Sequence, residues 1–257
     1  MMTDERRLPG WTEKSPNGRY RRKIRIVAEG DRASADLEDD VHRFGVDLRH
    51  QGGVVVEIAS RVLRHPYDIC PSASARLQEF RDTPLDADIT VFGSRIDPLQ
   101  HCTHQFDLAA LAIAQAARGP GRRVYDIMVQ PGAEGRHAVV SRDGDEVLNW
   151  IVDGVTIRSD NMFDGQDLRT VLRAAREELD AGPDLLEAIH VVRRGLLVSR
   201  SRASNPDGFG GPPELVQFMK GACFAFQPEN AKGGSVRGNF RDFDSAPDHL
   251  LADLADS

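Results

Sequence analysis

The sequence predicts an α+β fold: antiparallel strands followed by two helices, then a second strand-and-helix unit. Three observations carry that prediction. Period-two alternation of apolar and polar residues runs through residues 20–64. An alanine-rich stretch, "FDLAALAIAQAARG", has strong helix propensity and is stopped by Gly119 and Pro120. Strands and helices come in blocks, not in strict βαβ alternation, which separates α+β from α/β order.

The elements follow in order. Residues 1–19 form a polar N-terminal arm, broken by Pro9, Pro16 and Gly18. "YRRKIRIVAEG" alternates arginine with Ile24 and Ile26, the pattern of a half-buried strand, and reads as an edge strand with a solvated basic face. "ASADLEDD" and "VHRFGVDLRHQGGVVVEIASRVL" extend the set into a meander, with "HQGG" at 50–53 as a turn. "CPSASARLQEF" opens a helix with Pro71 in its first turn, where the missing N–H costs nothing, and Ala73, Leu77 and Phe80 follow at helical spacing. Residues 82–99 read as a loop around "ITVF". The second helix begins near Thr103, a suitable N-cap. Then come "RRVYDIMVQ", "RHAVVSRDG", "EVLNWIVDG" and "VTIR" as strands, with "RDGDE" as a hairpin turn. From Asp167 the chain turns helical, with Leu185, Ile189, Val192 and Leu196 marking one face. "SNPDGFGGPP" is a loop without the lysine of a phosphate loop, and Leu215, Phe218, Met219, Ala222, Cys223 and Phe226 read as a further helical stripe. Residues 20–119 and 120–257 are thus two units, of one domain or two, with no evident internal repeat.

Composition narrows the function classes. With 40% hydrophobic residues among 257, the chain can bury a core. Net charge is −7, which argues against a nucleic-acid partner. Mean hydropathy is −0.41, and no apolar run nears the roughly 18 residues of a membrane span. The charged start "MMTDERRLPG" lacks the apolar core of a secretory signal, so a cytoplasmic setting is expected. Three cysteines, Cys70, Cys102 and Cys223, are too few for a disulfide framework and are expected as thiols.

Chemistry concentrates in "QHCTHQFDL" at 100–108. On a helix starting near Thr103, His104 and Asp107 meet at i, i+3, the spacing for a carboxylate to orient an imidazole. Cys102 lies at the positive end of the helix dipole, which favours thiolate. Cys70 stands at another helix start, and His42 shares a strand face with Phe44, Val46 and Leu48. The site expected from these residues has His104, Asp107 and His42 in catalysis, with Cys70, Cys102 and His104 as ligands for Zn or Fe. The same residues also make an ordinary helix start and core. Asp39 and Asp40 read equally as turn residues. His50 and His65 are expected near solvent, and His137, His190 and His249 have no evident partner.

Two resemblances attach to these segments. "LEDDVHRFGVDLRHQGG", "YDICPSASARLQEF" and "HCTHQFDLAALAIA" resemble the bacterial family known as domain of unknown function 2889. That resemblance implies a catabolic setting but no stated activity. The strand–cysteine–helix–His-Cys–helix order is also similar to iron–sulfur scaffold proteins of the NifU type, with Cys70 and His101-Cys102 matching two features. The scaffold's first cysteine has no match; Asp39, Asp40 or His42 fall near its place. The function expected is a catabolic enzyme of lyase, hydratase or hydrolase type acting on a small-molecule substrate. The alternatives are a metal or iron–sulfur binding protein without turnover, and a regulatory or structural partner protein.

Overall fold

Eight antiparallel strands form one sheet, and helices pack on one of its faces. The computed structural model describes residues 18–203, 219–232, 235 and 240–254. The strands are β1 (Tyr20–Glu29), β2 (Arg32–Asp39), β3 (Arg43–Gln51), β4 (Val54–Arg64), β5 (Gly121–Gly132), β6 (Gly135–Arg142), β7 (Asp145–Asp153) and β8 (Thr156–Ile157). Their order is β4-β3-β2-β1-β5-β6-β7-β8. The α+β expectation holds, and the strand stretches read from alternation are strands.

The position of β1 corrects the edge-strand reading. It lies in the middle of the sheet, with Arg22 opposite Asp39 on one side and Ile127 on the other. Tyr20, Arg22, Ile24 and Ile26 face the core, while Arg21, Lys23 and Arg25 lie on the other face. Counting by two from Ile24 places Arg22 inward, so the arginine-rich pattern has a buried cation on its apolar face.

Helix α1 (Phe92–Arg95) is one short turn within 82–99, and Ile89–Val91 and Pro98–Gln100 are 3-10 turns beside it. Helix α2 (Thr103–Arg118) crosses β1, β2 and β3. After α3 (Val171–Glu177), helix α4 (Pro183–Val198) crosses β5, β6 and β7. Each half of the chain therefore runs as a four-strand meander followed by a helix laid across it. The first strands of the two halves pair antiparallel about Ile24 and Tyr125. The sequence shows no repeat because the two halves share element order without sharing residues.

One apolar cluster spans both halves, from Phe44, Leu77 and Leu111 to Trp150, Ile189 and Leu196. The opposite face of the first half is covered by the C-terminal segment. There Leu251 N–H donates to Glu38 Oε2 at 2.9 Å, and Arg43 reaches Asp253 at 2.8 Å. Covering explains why Asp36 and Glu38, both outward by alternation, are buried.

Other elements differ from expectation. Cys70–Phe80 is a 3-10 helix burying Cys70, Ala73, Leu77 and Phe80. Cys102, not Thr103, is the N-cap of α2, with no side-chain cap bond. The stripe expected over 215–226 is not α-helical where it is described: Met219 ends a 3-10 turn, residues 220–223 are turn and bend, and Phe224–Phe226 is a second 3-10 turn. Its residues 215–218 lie outside the described residues, as do most of the N-terminal arm and the loop at 204–213.

Candidate functional site

The tight connection between β2 and β3 builds the site. The Asp39 carboxylate folds back on its own backbone, and Oδ1 accepts from Val41 N–H at 2.8 Å and His42 N–H at 2.7 Å. This is the local bond that lets aspartate close a turn. It leaves His42 off the strand, just before β3, with its ring over the core.

Asp39 is 0% exposed and fully occupied. Oδ1 also takes His42 Nδ1–H at 3.0 Å. Oδ2 accepts from Tyr20 Oη at 2.7 Å and from Arg22 Nε and Nη2 at 3.1 and 2.6 Å. Two carboxylate oxygens offer about four lone-pair sites, so no free acceptor is left. Arg22 and His42 hold the carboxyl well below its usual range against the opposing effect of burial.

His104 comes from the first turn of α2. Its ring stacks on His42, with centroids 3.8 Å apart and planes 28° apart, and on Phe44 at 5.6 Å. Arg22 Nη2 lies 3.1 Å from His104 Nε2. Guanidinium cannot accept, so His104 Nε2 is the acceptor and the ring proton sits on Nδ1. An ionised Asp39 cannot donate, so His42 carries its proton on Nδ1 and leaves Nε2 bare. Among the described residues, neither His42 Nε2 nor His104 Nδ1 has a hydrogen-bond partner.

Both imidazoles are neutral. Burial lowers the pKa of each. His104 falls well below its ordinary value because His42 and Arg22 add repulsion to burial. Asp39 partly offsets burial at His42, which makes His42 the more basic ring.

Asp107 belongs to a neighbouring cluster. Its carboxylate accepts from Arg194 Nε at 2.6 Å and Nη2 at 3.1 Å, and lies 3.0 Å from His190 Nε2. The His190 approach is a close contact and not an aligned hydrogen bond, since that nitrogen has no hydrogen-bond partner among the described residues. Arg194 and His190 keep Asp107 ionised despite burial. The expected His104–Asp107 hydrogen bond is therefore replaced by a tie from α2 to α4. His190, without an evident partner in the sequence, has one here.

The structure brings His42 and His104 together, with Asp39 as their third member. These three place one ligand atom each within 4.8 Å of one another, the group among the described residues that could hold a metal ion. Cys70 and Cys102 stand outside it, each buried at the start of its helical segment. Burial pushes the Cys102 thiol up to about 12 and Cys70 well above its ordinary value, so both are protonated. The helix dipole expected to favour thiolate is outweighed by desolvation. His65, expected near solvent, is buried and its Nδ1 lies 2.7 Å from Tyr67 O. His137 Nε2 lies 2.7 Å from Asn149 Oδ1.

Three arginines clamp the turn. Arg64 donates to the carbonyls of Asp39 and Asp40 at 2.5 and 2.7 Å, Arg202 pairs with Asp40 at 2.7 Å, and Arg22 holds Asp39. So many buried charges carry a desolvation cost that a purely structural turn does not require.

Sequence reasoning missed Arg22, Tyr20, Arg194 and His190. Arg22 and Tyr20 share the inward register of Ile24, which is a readable signal. Arg194 and His190 are i, i+4 beside the apolar stripe of α4, but nothing local names Asp107 as their partner. No family model matches this chain, and no curated protein sequence matches it. No helix among the described residues is long and apolar enough to cross a membrane.

Proposed function

We propose that this chain is a cytoplasmic enzyme that performs acid–base chemistry on a small organic molecule at the stacked His42–His104 pair. The observation carrying this reading is the opposite backing of two adjacent neutral imidazoles, His42 by a carboxylate and His104 by a guanidinium. Environments that pull two like groups apart assign them different roles.

His42 Nε2 is the general base. It takes a proton from substrate or water, and Asp39 stabilises the imidazolium that forms. His104 Nδ1–H donates a hydrogen bond to the oxygen on which negative charge grows. Arg22 strengthens that donor by holding the other ring nitrogen in place. The proton ends on His42, and His104 keeps its own. Proton abstraction beside a carbonyl, elimination of water, and hydrolysis all fit this pairing. Asp107 acts only through the position of α2.

A second reading is favoured by one observation, the close approach of Asp39, His42 and His104, a two-histidine, one-carboxylate set suited to iron or zinc. The residues fit such an ion poorly. Asp39 has no free acceptor site, and the Arg22 guanidinium already contacts both Asp39 and His104. The NifU-like version, with Cys70 and Cys102 as ligands, requires two buried thiols to lose their protons. Elemental analysis separates these readings, because the acid–base reading expects no stoichiometric metal.

The test of function is proton NMR of the protein in D2O with a panel of small esters, hydroxy acids, enoates and ketones. Turnover or deuterium incorporation is expected for one class. It should fall at least about 10²-fold in His42→Gln and in His104→Gln. Turnover that survives both substitutions contradicts the proposal.

A further inference from the structure

The outer face of the sheet carries a cavity of about 170 Å³ between β1, β5, β6 and the C-terminal segment. Its lining includes Arg21, Asp126, Met128, Val139, Ser141 and Leu250. These residues fall into two cross-strand rows, Arg21–Met128–Val139 and Lys23–Asp126–Ser141, on the face opposite His104. Leu250, buried in the C-terminal segment, lines one side of the cavity, which stays partly open to solvent.

The charges here do not balance. Asp126 is engaged by Lys23 at 3.4 Å, and Asp244 by Arg19 at 2.6 Å. Arg21 makes no ion pair of its own: its Nε is buried and has no hydrogen-bond partner among the described residues, and Asp244 and Asp126 act on it only at longer range. Burial, with the nearby Arg19, disfavours its charge more than Asp244 and Asp126 favour it. Arginine holds its charge in proteins, so an anion that enters the cavity relieves a cost already present.

We propose that this cavity binds a small organic monocarboxylate, with Arg21 pairing its carboxylate and Met128, Val139 and Leu250 holding its apolar body. The apolar wall disfavours a strongly hydrated inorganic anion. The single unengaged arginine matches one carboxylate and not two. A benzene-sized body fits, since a cavity of roughly 150 Å³ holds benzene. The site is separate from the histidine pair, because Arg21 and Arg22 are neighbours on β1 that point to opposite faces.

Benzoate is the probe, and the methyl carbon of Met128 is the reporter, in protein labelled at its five methionines. Titration with benzoate should move the Met128 signal saturably. Benzamide, which lacks the charge, and inorganic phosphate, which lacks the apolar body, should each bind at least tenfold more weakly. Arg21→Gln should weaken benzoate at least tenfold, and Arg21→Lys, which keeps the charge, should weaken it less. Thermal melts of both variants check that each folds. No saturable shift of Met128 with benzoate up to about 10 mM overturns the proposal. So does benzamide or phosphate binding as tightly as benzoate, or benzoate affinity unchanged in Arg21→Gln.

Discussion

Asp39 and Arg22 face each other across β1 and β2, and each satisfies the other where neither could remain alone. Both are inaccessible to solvent, Arg22 at 1%. Replacing Arg22 with Met should destabilise the protein by about 3–5 kcal/mol, because it strands a buried carboxylate. Adding Asp39→Asn to that variant should recover part of the loss, which urea unfolding of the three proteins measures. An additive pair would show that the two do not interact. Arg22 was legible by counting from Ile24, but arginine on an apolar face is rare enough that the run reads as a solvated edge. His42 and His104 were legible as chemistry-bearing residues. Their stacking was not, because it joins a turn to a helix start that are distant in sequence. Asp107 was legible as a helix-start carboxylate and misread in its partner, since an Arg from α4 outcompetes a neutral imidazole three residues away.

Helix α4 meets β5 at Gly195, where an added Cβ would lie 2.7 Å from Ile127 Cγ2. Alanine favours helix by about 1 kcal/mol over glycine, but overpacking costs about 1–3 kcal/mol. Gly195→Ala should therefore lower stability, and Ile127→Ala in the same protein should relieve the clash. A melting temperature raised by Gly195→Ala alone would contradict the close approach. Helices α2 and α4 are further joined by Asp107 and Arg194. Arg194→Met should destabilise by about 3 kcal/mol and should leave His104's tautomer unchanged, since Arg22 sets it. The strands were well legible because period two survives the burial of one face. The stripe at 215–226 shows the opposite: helical spacing of Met219, Cys223 and Phe226 arises here from turns. Spacing alone does not supply the continuous backbone bonds of a helix.

Across the whole molecule, two meander-and-helix halves share one sheet and one core, and most of the buried charges sit on the first half, with Glu187 and Arg202 buried in the second. This recurrence of element order was invisible in the residues. The charge placement makes stability depend on pH. His42, His104 and His101 have folded pKa values below the unfolded value of 6.5. Below that value the unfolded chain binds more protons than the native one, so the contribution is complete above 6.5 and is lost as pH falls toward the folded values. Each histidine that stays neutral should cost about 1.4 kcal/mol per pH unit in that window. Asp39 and Asp107 add their own loss below the ordinary carboxylate range, near pH 4. Urea midpoints from pH 7 to 5 should fall, and should fall less steeply in His104→Gln; a flat profile would contradict burial of neutral rings. The central claim is the opposite backing of two neutral imidazoles, and long-range proton–nitrogen NMR of the histidine rings at pH 7 tests it most directly. The account predicts that His42 and His104 each carry one proton, on Nδ1, with both Nε2 atoms unprotonated. An imidazolium at either residue, or a proton on His104 Nε2, would contradict it.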